Sequence, residues 1–449
     1  MRRETGAYSS AYVAYAMFVV FLVAVFNVVD RMVVSILATS IERDLGLSDA
    51  QLGWLLGPSF AVVHFVAILP FAWLADRTAR RTIIAFGLFV WSGMTALGGA
   101  AQGFGQLFAT RMGVGIGEAA GSPPSASLLT DTAPPHLRSR ALSALTLGAL
   151  MGIGVGLVAG GALAQAYGWR TTLVAIGAPG VLVALLVRFT LREPPRSARA
   201  ASASPLDAAR HLFRLPTYGR LVGAASFAGM ASLGRNMWEP VLLERVFGFA
   251  LRDAGLQLFL FSALPAAGGA WLGGWLADRL GRRDVRWPLW VCAIGNAACA
   301  PLLVAFLLWP ADARLAGGTP VAFLFLAGGA LLGGFYSPPT SAVAQSLSLG
   351  HMRAMAHAIW SMVFTLVGQG VGPTLVGQLN VALGPAYGAQ AIRYSMAVVS
   401  GLALVAAAGY FAAARSLPAD LARVRSIEDA DDARPGTPPE SRTQPPATG

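Results

Sequence analysis

The chain has 449 residues, 55% of them hydrophobic and 12% charged, with a formal net charge of +11. A soluble globular domain carries about 25% charged residues. Apolar runs of roughly 20 residues recur here from end to end, so the composition excludes a soluble fold and reads as a polytopic helical membrane protein. The positive charge does not mark a nucleic-acid surface, because the basic residues, all arginine, sit in short loops between the apolar runs.

The basic start Met1-Arg2-Arg3 leads into an apolar run too long for a signal peptide. It reads as the first of twelve spans, at about 11–40. Spans 2 to 6 follow at about 48–75, 82–103, 105–131, 137–166 and 169–191. Spans 7 to 12 are placed at about 218–247, 253–277, 287–310, 319–346, 352–382 and 390–414. The expected division is a six-helix bundle over 1–191, a linker over 192–217, a second bundle over 218–414 and a disordered tail over 415–449. In the linker, Leu206, Leu212, Phe213 and Leu215 space as a short amphipathic helix on the membrane surface. The tail is rich in Pro, Thr, Asp and Glu. Loops after the even-numbered spans hold most of the arginines, among them Arg138, Arg140, Arg192, Arg286 and Arg353, whereas the opposite loops hold few beyond Arg43, Arg170, Arg252, Arg314 and Arg393. That bias puts both termini in the cytoplasm; a bacterial inner membrane is the expected location.

The two halves repeat. Asp76-Arg77-Thr-Ala-Arg80-Arg81 returns as Asp278-Arg279-Leu-Gly281-Arg282-Arg283, an offset of 278 − 76 = 202. Ser122-Pro-Pro-Ser returns as Ser337-Pro-Pro-Thr, offset 337 − 122 = 215, and Gly154-Val-Gly156 as Gly370-Val-Gly372, offset 370 − 154 = 216. Three matches in order indicate two related bundles with a substrate site between them. Asp76 stands where span 2 ends, against the negative end of the helix dipole, a position that calls for a partner. This and its recurrence suggest a latch that forms in one state and breaks in another.

Ionisable residues inside the spans carry the remaining chemistry, because a charge in the bilayer is costly and marks a water path or a partner. Arg111 and Glu118 in span 4 lie seven residues apart, two turns, on one face. Asn27, Asp30 and Arg31 stand in span 1, where neighbouring Asp30 and Arg31 point about 100° apart. In span 7, Arg235 and Glu239 are one turn apart and able to pair, with Trp238 between them. These charges fit a cavity that couples protons to a solute; the alternative is that they are structural pairs that lock helices together. No Walker loop, Ser/His/Asp grouping or metal pattern is present, so neither an enzyme, nor a cofactor, nor a metal site is expected.

The loop after span 8 resembles the signature of the major facilitator superfamily, Gly-x-x-x-Asp-Arg-x-Gly-Arg-Arg, through Gly274, Asp278, Arg279, Gly281, Arg282 and Arg283. In the first copy Ala72 and Ala79 replace the glycines. Asn27 through Arg31, with Gly113-Val-Gly-Ile-Gly-Glu118 and Ser122-Pro-Pro, resembles the Spinster branch, Val28 standing where that branch typically has tyrosine. The resemblance implies an all-α fold of twelve transmembrane helices in two six-helix bundles. It further implies a proton-coupled carrier of lysophospholipids or sphingolipid-like solutes; a monomer surrounded by membrane lipid is the expected state. It implies cavity roles for Asp30, Arg31, Arg111 and Glu118; the chemistry of the residues themselves points to Glu118 and Asp30 for proton coupling and to Asn27, Arg31, Arg111, Arg235, Trp238 and Glu239 for contact with the solute. Asp76, Arg77, Arg80, Arg81 and their second-half counterparts would gate. An organic-acid symporter and a multidrug exporter are the alternatives.

Overall fold

The structure is a computed structural model that describes residues 8–194, 205–315, 318–349 and 352–432. The expected linker sequence at 195–204 and the tail from 433 lie outside the described residues. Among the described residues every extended element is a helix.

Eight stretches are long and apolar enough to cross a membrane. Two of them, Pro135–Thr190 and Met355–Asp429, hold two crossings each, because the chain turns back at Gly168 (φ 78°) and Gly388 (φ 52°). These account for ten spans. The other two are Phe104–Thr132 and Pro216–Arg245. They fall short on hydropathy because they carry Arg111 with Glu118 and Arg235 with Glu239. The two most polar spans are therefore the ones with ion pairs to hide, and both are covered by neighbouring helices rather than lipid.

In chain order, span 1 is Ser10–Ile36; span 2 is Asp49–Leu56 with Pro58–Arg77; span 3 is Arg80–Gly98; span 4 is Phe104–Thr132. Span 5 starts at Arg138–Gly154, and the helix Gly160–Thr190 completes it and, past Gly168, forms span 6. Span 7 is Pro216–Arg245; span 8 is Leu251–Leu258 continued by Leu264–Gly281; span 9 is Trp287–Leu308. Span 10 is Ala322–Gly333 with Ser337–Ser346; span 11 is Arg353–Phe364 with Gly370–Tyr387; span 12 begins the helix Ala391–Asp432.

Three hydrophobic cores show how the bundles meet. One, around Leu88, Trp91 and Leu128, lies wholly in the first bundle, and one, around Tyr218, Leu289 and Tyr410, wholly in the second. Both fill the half of the molecule nearer the chain ends. The third runs continuously from Val33, Leu52 and Leu55 of the first bundle to Trp238, Leu243 and Phe323 of the second. It fills the opposite half. The continuous core thus joins the bundles on the opposite face, whereas toward the chain ends each bundle keeps a core of its own.

The joint is the same contact made twice. A Cβ at Gly377 of span 11 would overlap the carbonyl of Asp49 in span 2, and one at Gly161 of span 5 would overlap that of Leu251 in span 8. These positions differ by 377 − 161 = 216 and 251 − 49 = 202. Likewise Gly53 abuts the Pro373 carbonyl and Gly255 abuts that of Leu157, with 255 − 53 = 202 and 373 − 157 = 216. Both offsets are those of the sequence repeats, so the interface is isologous, as between the subunits of a twofold dimer. Glycine is needed at all four positions because backbone meets backbone.

The four helices at this joint are also irregular. Span 2 breaks at Gly57 (φ −118°, ψ −90°), and spans 5, 8 and 11 contain π turns at Val155–Ala159, Phe259–Ala263 and Thr365–Gln369. The irregular turns face each other in pairs: Gly57 lies on the carbonyls of Gln369 and Gly370, and Gly154 on the ring of Phe259.

One expectation is corrected. Residues 415–432, expected to be disordered, continue the last helix. The backbone N–H of Thr217 donates to Asp420 at 2.9 Å, and Leu417 and Val424, two turns apart, are buried in the second core. The short helix Pro205–Phe213 docks on the second bundle through Ala208 and Leu212 and leaves Leu206 and Phe213 exposed.

Replacing Gly255 by Val should force spans 5 and 8 apart and lower stability by about 1–3 kcal/mol. Thermal unfolding in detergent checks this, and Gly223→Val, at a position with nothing within 4 Å of its Cβ, is the control.

Candidate functional site

In the first bundle the charges of spans 1 and 4 interlock. Arg31 donates from Nε to Oε2 of Glu118 at 2.6 Å and from Nη2 to the same oxygen. Its guanidinium lies over the ring of Phe60 in span 2, 4.6 Å from the centroid, and His64 stacks on that ring from one turn further along. Arg111 sends Nη1 to the backbone carbonyl of Asp30 at 3.1 Å. The Asp30 side chain, rotated about 100° from Arg31, points into the bundle and receives Ser92 of span 3 at 3.5 Å.

This corrects the expected pairing. Glu118 is held by Arg31, not by Arg111. Seven helical residues separate Arg111 from Glu118 by about 10 Å along the axis, more than a direct contact spans, whereas Arg31 projects from the facing helix. Arg111 is also buried, with 5% exposure, and its hydrogen bond is to backbone. It braces span 4 against span 1. Of the six charged side chains in the two bundles' clusters, Arg31 is the one with appreciable exposure, 25%.

Beside Asn27, a recess of about 210 Å³ runs between spans 1, 3, 4 and 5. Its walls are apolar at Val23, Ala24, Leu145 and Ala149 and polar at Asn27 and Ser125, with Trp91 across from them. Val28, the position where the resembled branch has tyrosine, is part of the same wall.

In the second bundle Arg235 pairs with Glu239 one turn on, and Ser262 of span 8 donates to Glu239 at 2.9 Å. Both charges are buried. Trp238, expected to meet solute, is fully buried and donates its ring N–H to the carbonyl of Pro373 at 2.9 Å, so it pins span 7 to span 11.

The expected latch residues sit on the terminal face. Arg80 binds Asp131 at 2.5 Å, Glu193 at 3.0 Å and Ser127 at 2.9 Å, and Arg81 donates to Glu193 and to the carbonyl of Leu191. These contacts tie spans 3, 4 and 6 within one bundle and do not cross to the other. Arg77 lies over the Trp73 ring and Arg279 over that of Trp275, matching contacts in the two halves. Asp278, Arg282 and Arg283 are exposed, and Gly274 and Gly281 lie near Pro338 and Pro288. The side chain of Asp76 lies outside the described residues.

One charged network did not emerge from the sequence. Arg245, at the end of span 7, binds Asp49 through two bonds of 3.0 and 2.7 Å and Glu42 at 2.5 Å. Arg43 binds Glu244 at 2.8 Å. These bonds close the opposite face across the two bundles. The signal was present: Glu42-Arg43 and Glu244-Arg245 are separated by 244 − 42 = 202, and each arginine takes the other pair's glutamate. Gly46 and Gly248, again 202 apart, end the two elements in the left-handed conformation, φ 63° and 70°.

The sequence profile described as Major Facilitator Superfamily matches residues 20–331. The chain belongs to that superfamily. It is 34% identical over 403 residues to an MFS-type efflux pump of Mycolicibacterium smegmatis, across 89% of this chain and 92% of that one. It is 27% identical over 406 residues to protein spinster homolog 1 of Bos taurus, across 85% and 75% of the two chains. The crystal structure of a bacterial homolog of the human lysosomal transporter Spinster, inward-facing and unoccupied, matches with a TM-score of 0.81 at 28% identity, covering 92% of this chain and 99% of that one. This superfamily member is therefore a multi-pass, Spinster-like transporter that works by alternating access, and it is not an enzyme.

Arg245→Gln leaves Glu42 and Asp49 without their cation and should raise the population open on the opposite face about tenfold. Spin labels at Ala50→Cys and Ala250→Cys, with Cys292 and Cys299 replaced by Ala, report this as a longer distance. An unchanged distance distribution would remove the network from the seal.

Proposed function

We propose that this transporter is proton-coupled and moves an amphipathic, anionic organic solute of the lysophospholipid or sphingolipid-phosphate kind. It works as a monomer in a bacterial inner membrane, with the terminal, arginine-rich face in the cytoplasm. The observation that carries the reading is Arg31: a partly exposed guanidinium whose bonds go to a fully buried carboxylate, Glu118. Arginine offers a planar fork suited to phosphate or carboxylate. A headgroup that takes Arg31 leaves Glu118 in dry surroundings without its cation, and a carboxylate there takes up a proton. Solute anion and proton then bind together. When the proton leaves, Glu118 reclaims Arg31 and the headgroup is released. The recess beside Asn27, with Asn27 and Ser125 set among apolar walls, suits a molecule with a polar group and an apolar part. Asp30 is a second proton-binding candidate, and the loops around Arg80 and Arg282 serve as latches on the terminal face when it closes.

In proteoliposomes, a pH gradient should drive uptake of a fluorescent lysophospholipid, and Glu118→Gln should retain binding while losing the response to the gradient. Unchanged pH-driven uptake in that variant would take the coupling role from Glu118. Arg31→Gln should weaken solute binding about tenfold.

The 34% identity to an efflux pump favours a second reading, export of structurally unrelated compounds. Ligand-induced shifts in thermal unfolding separate the two. Lysophospholipid should protect more than a lipophilic cation or a short sugar acid, and protection mainly by the cation would favour the export reading.

A further inference from the structure

A furrow of about 780 Å³ runs between spans 5 and 8. Spans 5 and 8 touch behind it, at Gly161 with Leu251 and at Gly255 with Leu157, and its wall residues Met151 and Val155 are exposed, so it faces outward from the contact between the bundles. Its floor and walls are apolar, formed by Met151, Val155, Val158, Ala162 and Phe259. Met151 and Val155 are exposed although they stand in the membrane. At the end nearer the sealed face the lining changes to Gln165 and Arg252. Gln165 accepts the backbone N–H of Arg252 at 3.3 Å, which fixes the first turn of span 8 beside the furrow. The Arg252 guanidinium is exposed and makes no hydrogen bond or ion pair among the described residues.

The twofold repeat provides an internal control. At the equivalent positions of the other flank, between spans 2 and 11, stand Ala50 for Arg252 (252 − 50 = 202) and Val381 for Gln165 (381 − 165 = 216). Ala159 corresponds to the larger Leu375 at the same offset, 375 − 159 = 216. The glycine contacts of the seal are made on both flanks, but the flank between spans 2 and 11 has alanine where the other has Arg252, so closing the bundles does not itself require a cation at that position.

We propose that this furrow is a binding site for an anionic phospholipid of the membrane leaflet on the sealed face, its acyl chain lying along spans 5 and 8 and its phosphate on Arg252. The dimensions agree. From Met151 to Ala166 the furrow follows fifteen helical residues, about 22 Å, enough for one leaflet's share of a hydrocarbon core about 30 Å thick plus part of the headgroup layer. Arg252 lies at the end of an apolar stretch, where a basic side chain meets the headgroups. Because the furrow's back wall is the contact between spans 5 and 8, a lipid seated there favours the state in which that contact is closed. The site is separate from the transported solute's, and the proposal holds whichever solute is carried.

The test is native mass spectrometry of the full chain released from nanodiscs of mixed phosphatidylglycerol and phosphatidylcholine. The wild type should retain phosphatidylglycerol in preference to phosphatidylcholine. Arg252→Gln, at an exposed side chain, should reduce that retention about tenfold by removing the charge, and Ala162→Phe should reduce it by filling the furrow. Equal retention of the two lipids by the wild type, or undiminished phosphatidylglycerol on Arg252→Gln, overturns the proposal. Thermal unfolding of both variants in detergent confirms folding, and if Ala162→Phe unfolds, Arg252→Gln alone decides.

Discussion

An ionised side chain inside a bilayer must be answered by protein, because the surrounding hydrocarbon offers it nothing. That constraint organises this molecule. Spans 4 and 7 are too polar to face lipid, and each is covered by its neighbours: span 4 by spans 1, 2 and 3, span 7 by spans 11 and 12. Arg31 with Glu118, Arg111 with the Asp30 carbonyl, and Arg235 with Glu239 and Ser262 are the answers the fold provides. Removing one partner of such a pair leaves the other charge uncompensated, so exchange of partners is far cheaper than loss of one. A solute that substitutes for a partner exploits that difference.

The second organising fact is the twofold relation between the halves. It turns one sealing contact into two and one ionic pair into a reciprocal set, Arg43 with Glu244 and Arg245 with Glu42. The seal on the opposite face therefore rests on close backbone packing at four glycines and on a ring of charges above it. Among the described residues no comparable ionic contact between the bundles is found on the terminal face. Its arginines, Arg80 above all, are engaged within their own bundle.

Much of this was legible in the sequence. Twelve spans, two bundles and the repeat offsets follow from hydropathy and from the Asp-Arg-x-x-Arg-Arg recurrence. The partner of Glu118 was not legible, because it depends on the relative rotation of spans 1 and 4, and helical spacing within span 4 says nothing about the facing helix. The Glu42-Arg43 and Glu244-Arg245 repeat was readable at an offset already in hand. Charged residues in short loops also set topology, and that role hides their pairing across the bundles. The final helix was misjudged on composition. Its Pro and Asp content argued for disorder, while the one-sided spacing of Leu417, Leu421 and Val424 argued for a docked helix, and the docking prevailed.

The irregular turns of spans 2, 5, 8 and 11 bear on how such a molecule moves. In a regular helix every bend must first stretch a backbone bond, whereas these four enter with the ladder already interrupted. Since they meet in facing pairs, Gly57 on Gln369 and Gly154 on Phe259, flexure on one side has a ready hinge opposite it. The molecule thus has a waist: the interrupted backbone ladders stand beside the glycine contacts, which is where bending of these helices costs least.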